Sequence, residues 1–117
     1  MKYRLSLLLL MMIVPVLFVA GQQYPKNYFR SPVSFPITLA GSFGEIRRNH
    51  FHSGIDIRTE GVQGKPVYAI ADGYVARVNV SPGGYGKALY IVHPNGYMSL
   101  YGHLSRYAGA IAPWVRA

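Results

Sequence analysis

Two side chains that can bind a metal ion stand close together near the middle of the chain. His52 and Asp56 are separated by Ser-Gly-Ile, in a sequence with only four histidines and four acidic residues. Two ligands of one zinc ion each lie about 2.0–2.2 Å from the metal, so their donor atoms must come within a few ångströms of each other. A strand rises about 3.3 Å per residue and would hold positions i and i+4 too far apart, while glycine costs a helix about 1 kcal/mol. We therefore expect a bend at Gly54 that turns both side chains toward one point.

The spacing alone also fits simpler interpretations. An aspartate that accepts a hydrogen bond from a nearby histidine is an ordinary polar contact. His50 competes with His52 for any role in a site, since positions i and i+2 share a face in an extended chain. By itself, the spacing leaves a metal site and a plain polar pair both open.

The N-terminal 21 residues have the composition of an export signal. Lys2 and Arg4 precede the apolar run Leu5–Ala20, and small residues lead up to Gly21. A positive start, a short apolar core and a small-residue cleavage site describe a secretory signal peptide, so we expect cleavage after Gly21. The alternative is an uncleaved membrane anchor, although the run is shorter than the roughly 20 residues that a spanning helix needs. We expect an exported protein of the periplasm, cell envelope or extracellular space, which touches a membrane only through an uncleaved signal segment.

Composition and charge exclude several classes of protein. The sequence has no cysteine, which rules out a thiol nucleophile, thiolate metal ligands and disulfides, and leaves His, Asp and Glu as metal ligands. The net charge of +8 would point to nucleic acid in a cytoplasmic protein. With an export signal, we expect no nucleic-acid partner and an attraction to the anionic cell wall instead. A basic surface that only aids solubility explains the charge nearly as well.

Strand and turn patterns dominate the rest of the chain. Residues 22–40 are rich in aromatics and proline, which predicts an extended lead-in. Asp72-Gly73 separates two apolar, β-branched runs, which is a strong hairpin signal. No segment has a sustained helical period. We predict an all-β protein, an antiparallel sheet or small open sandwich, with strands over 37–40, from 56 onward, and over 66–71, 74–80, 87–93 and 97–104.

Five motifs then follow one another in a fixed order: His52–Asp56, Gly64–Gly73, Gly84–Gly86, His93–Tyr97 and Tyr101–Leu104. The ordered series resembles the lysostaphin-type (LytM-type) zinc endopeptidases, which cut peptide cross-links of bacterial peptidoglycan. The match runs from about Gly41 to Ser105. It implies a lysostaphin-like peptidase fold and three regions, a signal peptide (1–21), the lead-in (22–40) and a partial metallopeptidase domain (41–117).

The resemblance assigns roles to three residues. His52 and Asp56 correspond to two of the family's three zinc ligands, and His103 corresponds to a catalytic histidine that does not bind the metal. Zinc lowers the pKa of a bound water toward 7 and polarises the scissile carbonyl. A histidine beside that water takes its proton or stabilises the oxyanion. The alternative for His103 is a half-buried strand residue bonded to a neighbour.

Other polar residues near these motifs have no counterpart in the resemblance. We expect His50 to support a ligand or line a cleft, and His93 to stabilise a turn or lie at the surface. Arg47 and Arg48 either meet substrate carboxylates or serve solubility. Packing or groove lining is the expectation for three tyrosines, Tyr85, Tyr97 and Tyr101.

The chain departs from the family near its C-terminus. The family's third zinc ligand and second catalytic histidine lie in a His-x-His segment, and no histidine follows His103. We expect a fragment of a longer reading frame that lacks the C-terminal strands and is weakly active or inactive alone. One competing hypothesis is a non-catalytic peptidoglycan-binding or amidase-activating module on the same fold, and another is an unrelated carbohydrate-binding β-domain. A serine hydrolase has no support, because Gly-x-Ser-x-Gly is absent.

Overall fold

A computed structural model describes residues 26–114 of the chain. It contains five strands and a short 3₁₀ turn: β1 Leu39–Gly41, β2 Asp56–Ile57, β3 Tyr74–Ser81, β4 Gly86–Val92, β5 Met98–Leu104 and the turn Ala112–Trp114. All strand pairs are antiparallel, so the all-β prediction is confirmed for this part of the chain. Within residues 26–114, no helix is long and apolar enough to cross a membrane. The predicted signal peptide lies outside the described residues.

The larger sheet is a three-stranded meander with β4 in the middle. The three strands begin and end within one residue of the predicted ranges 74–80, 87–93 and 97–104. The β4–β5 turn closes when Gly96, at φ 84°, donates its N–H to the His93 carbonyl at 2.9 Å. Because β4 has a partner on each edge, it supplies most of the buried apolar side chains, Ala88, Leu89 and Ile91.

The predicted hairpin around Asp72-Gly73 is wrong, because residues 66–71 do not form a strand. The backbone of this segment bonds to the lead-in instead: Tyr68 donates to the Pro32 carbonyl at 2.8 Å, and Arg30 donates to the Ile70 carbonyl at 2.7 Å. At Gly73 the chain passes so close to β4 that an added Cβ would overlap the Val92 carbonyl. Asp72-Gly73 is therefore a point of close packing, not a hairpin turn.

The lead-in packs onto the sheet. The Phe29 ring meets the rings of His93 and Tyr97 edge-on, with centroid distances of 5.8 Å in both cases. Val33, further along the lead-in, is buried. The lead-in thus covers the end of the meander at which the β4–β5 turn lies.

Candidate metal centre

The segment between β1 and β2 folds into a tight hairpin that the sequence analysis did not predict. Three backbone hydrogen bonds and one bridge hold it together: Gly44 N–H to His52 O (2.8 Å), His52 N–H to Glu45 O (2.8 Å), Arg47 N–H to His50 O (2.9 Å), and the bridge Ile46–Phe51. Its turn contains Arg48-Asn49, without the glycine that marks most two-residue hairpins. The turn signal that would have revealed it is therefore missing from the sequence.

The hairpin separates polar from apolar side chains. Residues opposite each other in an antiparallel pair share a face, so Glu45, Arg47 and His52 lie on one side. Ile46 and Phe51 lie on the other side and are largely exposed. The hairpin therefore presents the His52 ring together with a carboxylate and a guanidinium.

His52 and Asp56 converge as the predicted bend requires. The chain bends at Gly54 and then enters β2, whose first residue is Asp56. The His52 Nε2 lies 3.3 Å from the Asp56 Oδ1. The alternative pairing through His50 is not formed, because the His50 ring bonds to the Asn49 side chain at 2.7 Å.

The tautomer of the His52 ring depends on the contacts of its other nitrogen, Nδ1. His52 Nδ1 lies 3.0 Å from the Ser42 carbonyl oxygen, and a carbonyl can only accept a hydrogen bond. Arg47 Nη2, which can only donate, lies 3.3 Å from the same nitrogen, so the two contacts favour opposite tautomers. The shorter contact, with Ser42, favours the proton on Nδ1, which leaves the Nε2 lone pair facing the Asp56 carboxylate. Metal-binding histidines are held in the same way, by donating the distal N–H to a carbonyl or carboxylate.

The distance between these two acceptors fits a divalent cation. Tetrahedral zinc with bonds of about 2.0–2.1 Å places neighbouring ligand atoms about 3.3–3.4 Å apart, and the observed separation is 3.3 Å. In the Nδ1–H tautomer two acceptors face each other at this distance, and a cation between them would stabilise the arrangement. Within residues 26–114, no group of three or more His, Cys, Asp or Glu side chains is placed to hold a metal ion. The centre described here is a pair of candidate ligands.

Arg47 completes the polar cluster, contrary to the expectation of a solubilising or substrate-facing residue. Its Nη2 donates to the Asp56 Oδ2 at 2.6 Å and lies 3.3 Å from the Glu45 Oε2. The hydrogen bond to Asp56 raises the pKa of the Arg47 guanidinium, and the charges of Glu45 and Asp56 add to this effect against partial desolvation. No spacing rule in the sequence predicts the Arg47–Asp56 contact, because the contact forms only when the hairpin has folded. Arg48, at the turn, is exposed as expected.

His103 occupies a bulge near the end of β5. The register between β4 and β5 shifts between Leu89 and Lys87, and His103 has φ 54°, in the left-handed region. A side chain with a Cβ costs roughly 1–2 kcal/mol in this conformation, and such strain is concentrated at functional sites. The ring is exposed, and no hydrogen bond from it is formed within residues 26–114. The half-buried, bonded alternative is thus not observed.

Tyr85 connects His103 to the hairpin side of the molecule. The backbone N–H of His103 donates to the Tyr85 carbonyl at 2.7 Å. The Tyr85 hydroxyl lies 3.2 Å from the Ser53 Oγ, next to His52 in the chain. One residue therefore contacts both the bulge and the loop that carries the candidate ligands.

His93 is a structural residue and not a surface one. Its side chain is only 2 % exposed. The Nδ1–H donates to the Asp72 carbonyl at 2.8 Å, and Nε2 lies 2.9 Å from the Ser99 Oγ. The Ser99 and Tyr101 hydroxyls are bonded at 2.9 Å, and the Tyr101 hydroxyl accepts from the Ile70 N–H at 2.9 Å. The His93 backbone also closes the β4–β5 turn, because its N–H donates to the Tyr97 carbonyl and its carbonyl accepts from the Gly96 N–H. The turn-stabilising part of the expectation is therefore confirmed.

Comparison with known proteins identifies the family. The model of Peptidase family M23 matches residues 50–116, more than half of the chain. The chain therefore belongs to Peptidase family M23, and the resemblance to lysostaphin-type peptidases is confirmed at this level. No solved structure matches the chain.

Curated relatives are similar over a short part of their length. An uncharacterized metalloprotease of Haemophilus influenzae is 32 % identical over 92 residues, which is 74 % of this chain and 19 % of the relative. The DD-carboxypeptidase/endopeptidase Mpg of Neisseria meningitidis is 46 % identical over 59 residues, 50 % of this chain and 13 % of the relative. The same figures hold for Mpg of Neisseria gonorrhoeae. The chain thus spans about a fifth or less of these relatives.

Proposed function

We propose that the protein is a zinc-dependent endopeptidase that hydrolyses peptide cross-links of bacterial peptidoglycan. The observation that carries the proposal is the approach of two candidate ligand atoms, His52 Nε2 and Asp56 Oδ1, to 3.3 Å. Membership of Peptidase family M23 supports the peptidase activity. The metalloprotease name of the Haemophilus relative supports a metal cofactor.

Each residue of the centre has a defined task in this proposal. His52 and Asp56 would hold the zinc ion through Nε2 and Oδ1, while the Ser42 carbonyl favours the proton on Nδ1. Zinc supplies a water of lowered pKa and polarises the scissile carbonyl. His103 would accept and return protons at its exposed ring.

The substrate and location rest on separate support. Mpg, similar over half of this chain, is named a DD-carboxypeptidase/endopeptidase. The predicted signal peptide would place the protein in the periplasm, envelope or extracellular space, and the charge of +8 favours the anionic cell wall over neutral surfaces. We propose peptidoglycan peptides as the partner, with no nucleic acid, and membrane contact only through an uncleaved signal.

The test uses the protein expressed from its full reading frame. Purified wall sacculi are incubated with it, and the new amino termini are counted with and without a zinc chelator. We expect release that stops with chelator, returns with added zinc and is abolished in His52→Ala. His50→Ala is the matched control, since His50 is exposed and bonds to Asn49. Cleavage that resists the chelator, or full activity of His52→Ala, would overturn the proposal.

The same experiment separates the competing non-catalytic module. Such a module would sediment with the sacculi and release no amino termini under any metal condition. Stimulation of an added wall amidase by the intact protein would then support an activating role. Both results would contradict the endopeptidase proposal.

A further inference from the structure

We propose that Arg47 is a positioning residue that orients Asp56, so that one carboxylate oxygen is held by the guanidinium and the other is left for the metal. The proposal rests on the metal-dependent function proposed above. Arg47 lies before residue 50, where the match to the family model begins. Its role is therefore inferred from the contacts in this structure alone.

The first argument concerns which atoms Arg47 touches. Its Nη2 contacts the Asp56 Oδ2 at 2.6 Å and approaches the His52 Nδ1 at 3.3 Å. Both are the atoms that point away from the 3.3 Å gap between Nε2 and Oδ1. Arg47 thus contacts Asp56 and lies beside His52 on the sides that face away from the gap between Nε2 and Oδ1. The gap itself stays open.

The second argument concerns the mode of the ion pair. A guanidinium usually binds a carboxylate with two parallel N–H donors, which would engage both oxygens. Here Nη2 alone reaches Asp56, and Arg47 Nε is buried without a hydrogen-bond partner within residues 26–114. A buried, unsatisfied donor is unfavourable, so the one-sided geometry is held by the surroundings. Its consequence is that Oδ1 keeps its lone pairs for a metal.

The third argument concerns the space around the pair. Gly41 faces Asp56 across β1 and β2, and an added Cβ at Gly41 would overlap both Arg47 Nη2 and Asp56 Oδ2. Glu45 holds the guanidinium from another side, and its Oε2 also accepts from the Ser42 N–H at 3.1 Å. The Ser42 carbonyl in turn lies 3.0 Å from the His52 Nδ1. The backbone at the end of β1 is therefore shaped around the Arg47–Asp56 contact.

A test of this proposal must separate the effect of the Arg47 charge on metal binding from its effect on the orientation of Asp56. Removing Arg47 alone deletes a positive charge near the cation, which favours binding, and also releases Glu45, which could move to the metal. The double variant Glu45→Gln/Arg47→Met avoids both effects, because it removes one positive and one negative charge. Any loss of metal affinity in this variant then reports the orientation of Asp56.

The experiment measures zinc affinity by competition with a chromophoric chelator, using protein from the full reading frame. We expect the double variant to bind zinc about 10–100-fold more weakly than the wild type, the usual effect of losing a residue that orients a ligand. Glu45→Gln alone keeps the Arg47–Asp56 contact and should stay within threefold. Arg48→Met, which alters the exposed neighbouring arginine, controls for general charge.

The outcomes distinguish this proposal from the proposed function. A merely structural role for Arg47 would lower the melting temperature but leave the zinc affinity of the folded protein unchanged, and that result overturns the proposal. If circular dichroism shows that the double variant is unfolded, Glu45→Gln/Arg47→Gln decides instead, because its charge change is also balanced and its shorter amide does not reach the Asp56 Oδ2. Wild-type affinity in that variant overturns the proposal. A wild-type protein that binds no zinc would refute the metal centre itself, and the role of Arg47 with it.

Discussion

Asp56→Asn is the sharpest test of the paired-ligand geometry. Arg47 can only donate hydrogen bonds, so the asparagine must turn its carbonyl oxygen toward Nη2, where Oδ2 now accepts at 2.6 Å. The amide nitrogen then takes the place of Oδ1, 3.3 Å from the His52 Nε2. An N–H of this amide then points at the His52 Nε2 lone pair, which would bind the zinc ion. The substitution therefore removes one ligand and blocks the other.

The size of the effect follows from the energy of one zinc ligand. Structural zinc sites with four ligands bind with about 10–16 kcal/mol, which is about 2.5–4 kcal/mol for each ligand. The loss of one ligand corresponds to about a 10²–10³-fold weaker affinity. The substitution also weakens the charge-assisted bond to Arg47, so urea unfolding of the metal-free variant is measured alongside to show that it is folded.

The assay is zinc competition against a chromophoric chelator, with urea unfolding of the metal-free protein alongside. Asp72→Asn is the matched control, because Asp72 is exposed and its contact with His93 uses the backbone carbonyl. We expect this control to bind zinc as the wild type does. A zinc affinity of Asp56→Asn within threefold of the wild type would show that Oδ1 is not a ligand and would refute the geometric argument.

Three further predictions follow from the structure. His103→Ala should keep the zinc affinity of the wild type while the rate of peptide cleavage falls about 10²–10⁴-fold; a parallel loss of zinc binding would contradict a purely catalytic role. Gly73→Ala should lower the free energy of unfolding by about 1–3 kcal/mol in urea, because its Cβ overlaps β4, whereas Gly83→Ala, in open space, should not. Lys65 lowers the pKa of Glu60 below its ordinary value of 4.5 through a hydrogen bond. The bond therefore stabilises the folded protein at pH values above 4.5, and this stabilisation is lost as the pH falls through the lower pKa of the folded state. The difference in melting temperature between the wild type and Glu60→Gln should be small, since Glu60 is exposed, and should vanish in acid; a difference that grows in acid would refute the assignment.

The sequence predicted the parts of the fold that depend on local chemistry. The predicted strands 74–80, 87–93 and 97–104 are separated by loops and turns that contain glycine, and their ranges agree with β3, β4 and β5 to within one residue. The bend at Gly54 was predictable because neither a straight strand nor a helix lets His52 meet Asp56. Both predictions used residues close together in the chain, where spacing restricts geometry.

Errors arose where distant segments decide the structure. The run 66–71 has strand composition, yet its backbone bonds to the lead-in at Pro32 and Arg30. Propensity cannot choose between these partners, because each offers the same hydrogen-bonding groups. His93 precedes a turn, which suggests exposure, but the lead-in and Asp72 bury it.

The hairpin between β1 and β2 explains why the candidate centre was only half predictable. His52 and Asp56 are four residues apart, but Arg47 reaches Asp56 over nine residues, and only because the chain reverses at Arg48-Asn49. That reversal lacks a glycine signal, and the register between β1 and β2 must place Gly41 opposite Asp56 to leave room for the guanidinium. The approach of His52 to Asp56 can thus be predicted from spacing alone. The residues that orient the pair cannot, because their contacts exist only once two strands and a hairpin have come together.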